Sequence, residues 1–239
     1  MSVVTAADSA PMPSQTLSPV HSANVLRAPA LWWRIAIVLV ILVGLFSGSH
    51  KVLFFTVQSS AIAAGFFAVA AYFMLVRRTA DAPAPRVRGA VTLYLLMTML
   101  ISHFVNNDGE NPIPGILSAS SPEDLLSNRS VFLLHYVAPI MVLLDWLLFG
   151  PKGVVRYRDA LLWLIYPLGY ILIVMARAVV LPEASDLFPY GFLDPVGKGY
   201  GGVWAWVGGL AVGVIVLSML LVAIDRGLAR LSSKAAARG

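Results

Sequence analysis

The chain has 239 residues, 59% of them hydrophobic and only 12% charged. A soluble domain carries about a quarter charged residues, so this composition excludes a water-soluble monomer and points to lipid as the solvent for most of the chain. Seventeen Lys and Arg against twelve Asp and Glu leave +5; in a membrane protein the placement of such positives reports orientation, and no nucleic-acid partner is expected. With no cysteine, disulfides, thiolate nucleophiles and Cys-ligated metal sites are excluded.

Residues 1 to about 28 are rich in Ser, Ala and Pro without periodicity. They are expected to be a disordered tail, and they lack the basic start and short apolar core of a secretory signal. Six apolar stretches follow, about Leu31–Phe46, Phe54–Val76, Ala90–Val105, Ser130–Phe149, Ala160–Leu181 and Val203–Ile224. Each is close to the roughly 20 residues that cross a hydrocarbon core. Backbone polar groups in lipid must be satisfied within the segment, and the alternation of barrel strands is missing. The expected fold is an all-α integral membrane protein: a six-helix bundle over residues 29–227, with a basic C-terminal tail at 228–239.

The basic residues fall on one side. Arg27, Arg34, Arg77, Arg78, Arg86, Arg88, Lys152, Arg156, Arg158, Arg226, Arg230, Lys234 and Arg238 share it, whereas only Lys51, Arg129, Arg177 and Lys198 lie on the other. The positive-inside rule then places both termini in the cytoplasm, in a plasma or bacterial inner membrane. Two outer connections are long. The first, residues 106–129, contains Ser-Pro-Glu-Asp, a helix start. The second reads PEASDLFPYGFLDPVGKGYGG over 182–202 and is too apolar for a solvated loop, so it is expected to fold back on the outer mouth of the bundle.

Polar groups inside spans are costly and face the bundle interior, which makes them functional candidates. Thr56, His103, His135 and Arg177 are expected in one layer beneath the outer headgroups. On the second span Thr56, Ser59 and Ser60 share a face. This hydroxyl stripe reads either as close helix packing or as a nucleophile whose proton a histidine removes. His135 lies at a matching depth, four residues before Pro139, which deprives the carbonyl of His135 of its helical partner. His103 and His135 also admit bis-histidine haem ligation. A transporter lacks support without visible half-repeats, and a rhomboid-type protease is excluded because no Gly-x-Ser occurs. Asp145 is expected to pair with Arg156 or Arg158, Trp163, Tyr166 and Tyr170 to pack around Pro167, and Gly209 and Gly213 to form a close-packing GxxxG pair.

Four motifs in order carry a resemblance: FFTVQSSAIAAGFF at the second span, N-x6-H-Y-x2-P with LLDWLL from Asn128 to Leu148, W-x2-YPLGY from Trp163 to Tyr170, and FPYGFLDPVGKGYGG. Together, over about residues 30–225, the set resembles the androgen-induced membrane proteins and their bacterial six-pass relatives. The animal members are threonine hydrolases of fatty acid esters of hydroxy fatty acids. The resemblance implies that Thr56 is the nucleophile and His135 the base, although the animal proteins have one more residue between the histidine and the proline.

The expected activity is therefore cleavage of a membrane lipid ester at the outer interface, without metal or cofactor. Gln58, Asn106 and Tyr190 are candidate oxyanion donors, and Arg177 or Lys198 a candidate holder of a free substrate carboxylate. The alternative is a non-enzymatic lipid-binding or carrier protein in which Thr56 and His135 only pack.

Overall fold

The computed structural model describes residues 25–48, 51–78 and 81–236. Most of the N-terminal tail, residues 1–24, lies outside them. The described chain is all-α, and six of its helical spans are long and apolar enough to cross a membrane. The first two are α1 (Pro29–Ser47) and α2 (Phe55–Arg77). The third joins α3 (Pro85–Ile101) to a π-turn at Ser102–Asn106. After the short α4 (Ile113–Leu117), the fourth combines α5 (Pro122–Phe132), a π-turn at Leu133–Val137 and α6 (Ala138–Leu148). The fifth combines α7 (Tyr157–Leu162) with α8 (Ile165–Val180), and the sixth is α9 (Gly199–Ala236).

With an even number of spans, the chain enters α1 and leaves α9 at the same end, here called the terminal end; the opposite one is the site end. The helix start read from Ser-Pro-Glu-Asp is where α5 begins. Ser121 Oγ accepts from the Asp124 amide at 3.0 Å, Pro122 takes the first position without losing a bond, and Glu123 and Asp124 face the positive end of the helix dipole. At the other extreme, α9 is helix through Ala236, so residues 228–236 continue the sixth span.

The terminal end is fastened by buried charge. Arg34 of α1 meets Asp145 of α6 at 3.1 Å, and Arg88 of α3 meets the second oxygen of the same carboxylate at 2.7 Å. All three side chains are at most 1% exposed. Arg88 also donates to the carbonyls of Asp145, Phe149 and Gly150, which closes the last turn of α6. This corrects the expected pairing of Asp145: its partners are the two arginines inside the bundle, and Arg156 and Arg158 are not among them. A buried carboxylate needs charged partners close at hand, and Arg34 and Arg88 sit in the helices that pack on α6.

Around Phe55 of α2, Tyr94 of α3 and Tyr166 and Tyr170 of α8 form an aromatic cluster, with ring centroids 4.9–6.3 Å apart. Tyr94 Oη donates to the Trp163 carbonyl at 3.0 Å and Tyr170 Oη to the Leu53 carbonyl at 2.9 Å. The aromatic residues of the fifth span thus tie it to α2 and α3. Gly209 and Gly213 pack against nothing: a Cβ at either would meet open space. The expected GxxxG contact is absent because that face of α9 looks away from the other described helices.

Candidate active site

Thr56 is the second residue of α2 and Ser59 and Ser60 follow on the same face; all three are buried toward the bundle. Phe54 stands at the capping position of α2 and has no side chain that can satisfy a backbone amide. The amides of Val57 and Gln58 bond back to the Phe54 carbonyl, which leaves those of Phe55 and Thr56 without an intrahelical partner. The nucleophile candidate therefore sits among first-turn N–H groups at the positive end of a 23-residue helix.

His135 reaches this helix from the fourth span, thirteen residues (135 − 122) beyond the start of α5 at Pro122, or roughly three and a half turns. The spans are staggered because α5 extends beyond the start of α2, so the histidine lies deeper in its own helix than the sequence reading expected. It is the middle residue of the π-turn, in which the Ala138 amide bonds five residues back to the Leu133 carbonyl. Pro139 supplies the cause. Its ring crowds the carbonyl four residues earlier, that of His135 itself, and a wider turn relieves the clash. Gly44 of α1 accommodates the widened segment, since a Cβ there would stand 2.7 Å from Leu134 Cδ2.

The two candidates meet. Thr56 Oγ1 lies 3.1 Å from His135 Nε2, and His135 Nδ1 lies 2.9 Å from the Val131 carbonyl. A carbonyl can only accept, so Nδ1 carries a proton, and Nε2 of the neutral ring is the acceptor for the threonine hydroxyl. This is the tautomer that a general base requires. Both ring nitrogens are thereby engaged, so bis-histidine haem ligation would have to break one of these bonds. His103 is turned elsewhere: it lies in the π-turn of the third span, with Nδ1 3.2 Å from the Tyr136 hydroxyl.

Of the other candidates, Tyr190 and Asn106 line the same cleft as Thr56 and His135. The Tyr190 hydroxyl stands against the Thr56 side chain and the amides of Phe55 and Thr56. Burial raises its phenol above the ordinary value, so it stays a protonated donor. The segment after α8 does fold over the site end, with Tyr190, Phe192 and Leu193 in the cleft wall. Tyr190 is held there by Phe54, with ring centroids 5.7 Å apart, and by Phe192 at 5.3 Å.

Three expectations are corrected. Gln58 does not face Thr56; its amide bonds the Val52 carbonyl and accepts from Tyr166 Oη, because two positions along a helix turn a side chain away. Arg177 donates to the carbonyls of Ser185, Asp186 and Leu187, and Lys198 to that of Gly191. Both cations hold the folded-over segment in place, since its turns expose carbonyls that need donors. Neither lines the cleft.

The cleft runs from this pair between α3, α8 and α9. Its volume, open mouth included, is about 710 Å³. Its polar lining comprises Thr56, Asn106, His135, Tyr170 and Tyr190, with Thr98 and Ser102 of the third span. Farther in, Leu164, Pro167, Leu168 and Ile171 face Val207, Leu210, Ala211 and Val214. The apolar wall was hidden in the sequence, where these residues are indistinguishable from those that face lipid.

Among the described residues no cluster of three or more His, Asp or Glu could hold a metal ion. No protein-family model, curated protein or solved structure matches the chain, so its functional argument rests on the Thr56–His135 pair and the cleft beneath it.

Proposed function

We propose that the chain is an intramembrane hydrolase of lipid acyl esters, with Thr56 as nucleophile and His135 as general base. One observation carries the reading: Thr56 Oγ1 and His135 Nε2 are 3.1 Å apart, in the tautomer fixed by Val131, at the head of an apolar cleft. A packing threonine requires neither the tautomer nor the cleft. The ordered motifs, which resemble those of the threonine hydrolases, support the same assignment.

In the proposed reaction His135 Nε2 takes the hydroxyl proton as Thr56 Oγ1 bonds to the ester carbonyl carbon. The carbonyl π pair moves onto oxygen, and the oxyanion accepts a hydrogen bond from Tyr190 Oη, whose own oxygen the amides of Phe55 and Thr56 polarise. Collapse restores the carbonyl and breaks the bond to the alcohol oxygen, which takes the proton from His135 and leaves. Water then adds to the acyl-threonine, giving its proton to His135. The second tetrahedral species expels Thr56 Oγ1, which recovers that proton as the fatty acid departs. The excess of basic residues near the terminal end favours its facing the cytoplasm by the positive-inside rule, and on that reading the chemistry lies toward the outer leaflet.

The test is labelling by a fluorophosphonate and hydrolysis of a lipid-ester panel by the purified full chain, Thr56→Ala and His135→Ala. Adduct formation at Thr56, and turnover that both substitutions abolish, would support the assignment. Turnover that survives Thr56→Ala refutes it. If wild type neither labels nor turns over, a lipid carrier becomes the better reading.

A further inference from the structure

Among the described residues no lysine, arginine, aspartate or glutamate side chain lines the cleft. The four cations that the sequence places at the site end are each committed within the protein. Lys51 pairs with Asp186, Arg129 donates to the Ile116 carbonyl at 3.0 Å, Arg177 holds residues 185–187 and Lys198 holds Gly191. A substrate carboxylate drawn into the cleft would lose its water and gain no counter-charge, which is costly for an ion in an apolar setting. The site is built for uncharged groups.

The cleft also borders the outer surface of the bundle. Leu168 of α8 belongs to its wall and is nevertheless 41% exposed. Across from it, Leu210 of α9 borders both the cleft and a shallow groove on the outer surface of that helix, shared with Ala205, Trp206 and Gly209. Leu168 and Leu210 thus line the cleft on one side and reach the outer surface of the bundle on the other, so only their side chains stand between the apolar part of the cleft and that surface. Along the third span the wall from Met97 to Asn106 is nine residue steps long (106 − 97), or about 13.5 Å at the rise of an α-helix. The reacting pair stands at one end of that length, and Met97 marks the other, inside the bundle.

We propose that the substrate is a neutral acyl ester, with no free carboxylate, whose acyl chain passes from the bilayer into the cleft between α8 and α9 at Leu168 and Leu210. The proposal rests on the hydrolase reading of Thr56 and His135. It departs from the expectation of a carboxylate held by Arg177 or Lys198. Lateral entry lets the chain stay in an apolar medium throughout, so only the ester has to reach Thr56 and His135.

The test uses the full-length protein in lipid nanodiscs and a matched pair: a fatty acid ester of a hydroxy fatty acid, and the same compound with its carboxylate capped as a methyl ester. At equal mole fraction in the bilayer, release of the fatty acid at the internal ester should be at least tenfold faster from the capped compound. Leu168→Trp, which puts a bulkier side chain at the proposed entry, should slow this release at least fivefold. Ile173→Trp, at a 68% exposed position of the same helix outside the cleft, should not. Equal or faster release from the free acid overturns the neutral-substrate proposal, and an unimpaired Leu168→Trp overturns the route. If Thr56 labels with the fluorophosphonate but neither compound is cleaved, the substrate class is wrong and the hydrolase reading stands. If Thr56 does not label and neither is cleaved, the hydrolase reading falls and this proposal with it.

Discussion

Tyr190→Phe separates an oxyanion donor from a packing residue, because it removes one hydroxyl and keeps the ring that Phe54 and Phe192 hold. Loss of a single oxyanion donor lowers kcat by about 100- to 1000-fold, or about 2.7–4 kcal/mol. Here the amides of Phe55 and Thr56 face the Tyr190 oxygen in the wild type, and the substitution uncovers them as donors. The lower end of the range is therefore expected, with kcat down about 100-fold. KM should change little, since the donor acts on charge that develops only in the transition state. Stability should change by about 1 kcal/mol or less, the net worth of one hydrogen bond. Burial keeps the phenol protonated, so the wild-type rate should show no Tyr190 titration between pH 7 and 9. The assay is steady-state hydrolysis in nanodiscs, with melting followed on the same samples. A kcat within threefold of wild type, in a preparation where Thr56→Ala is inactive, would refute the role given to Tyr190.

At the terminal end two arginines share one carboxylate, and Lys152 and Asp225 lie within electrostatic reach of Arg88. Asp145→Asn leaves the arginines without a counter-charge and should cost about 3–5 kcal/mol. Arg34→Met keeps the Arg88–Asp145 pair and should cost clearly less; the reverse order of melting temperatures would sink the charge argument. Gly44→Leu should drive Leu134 and the π-turn away from α1, reducing turnover at least tenfold while Thr56 is intact, and normal turnover would show that Gly44 does not support the histidine. Lys152 lies between α6 and α7, and burial lowers its pKa from 10.5 to about 8. The folded state thus releases this proton before the unfolded chain does, and stability from this group should rise between about pH 8 and 10.5. A melting temperature that gains no more over that range in wild type than in Lys152→Met would contradict the sign.

The six spans were legible because each must supply about 20 apolar residues to cross the hydrocarbon core. Thr56 and His135 could be paired from their expected depth, since intramembrane polar groups in one layer tend to meet. What the chain order hid was relations across helices. Arg34 and Arg88 read as interfacial positives, yet they lie 111 and 57 residues from the aspartate they neutralise. Arg177 read as a substrate anchor because its carbonyl partners belong to a segment whose path no periodicity describes. Val131 was overlooked for another reason: its contribution is a backbone carbonyl, which every residue has, and only the turn around His135 gives it a task. The π-turn at Leu133–Val137 had a proline beside it as a clue, whereas that at Ser102–Asn106 has none in its sequence.

Those two wide turns bear on how such a chain tolerates length changes during divergence. One residue more or less in a regular helix rotates everything beyond it by about 100°, which in a packed bundle would swing a working side chain into lipid. A π-turn is already a helix with one residue in excess, so it is the place where the count can change at least cost. Removing a residue between His135 and Pro139 would return the segment to regular winding, whereas adding one would enlarge a bulge that already exists. Helices of unequal length between histidine and proline can thus aim the same imidazole at the same hydroxyl, and an alignment that forces both landmarks into one column would misplace one of them.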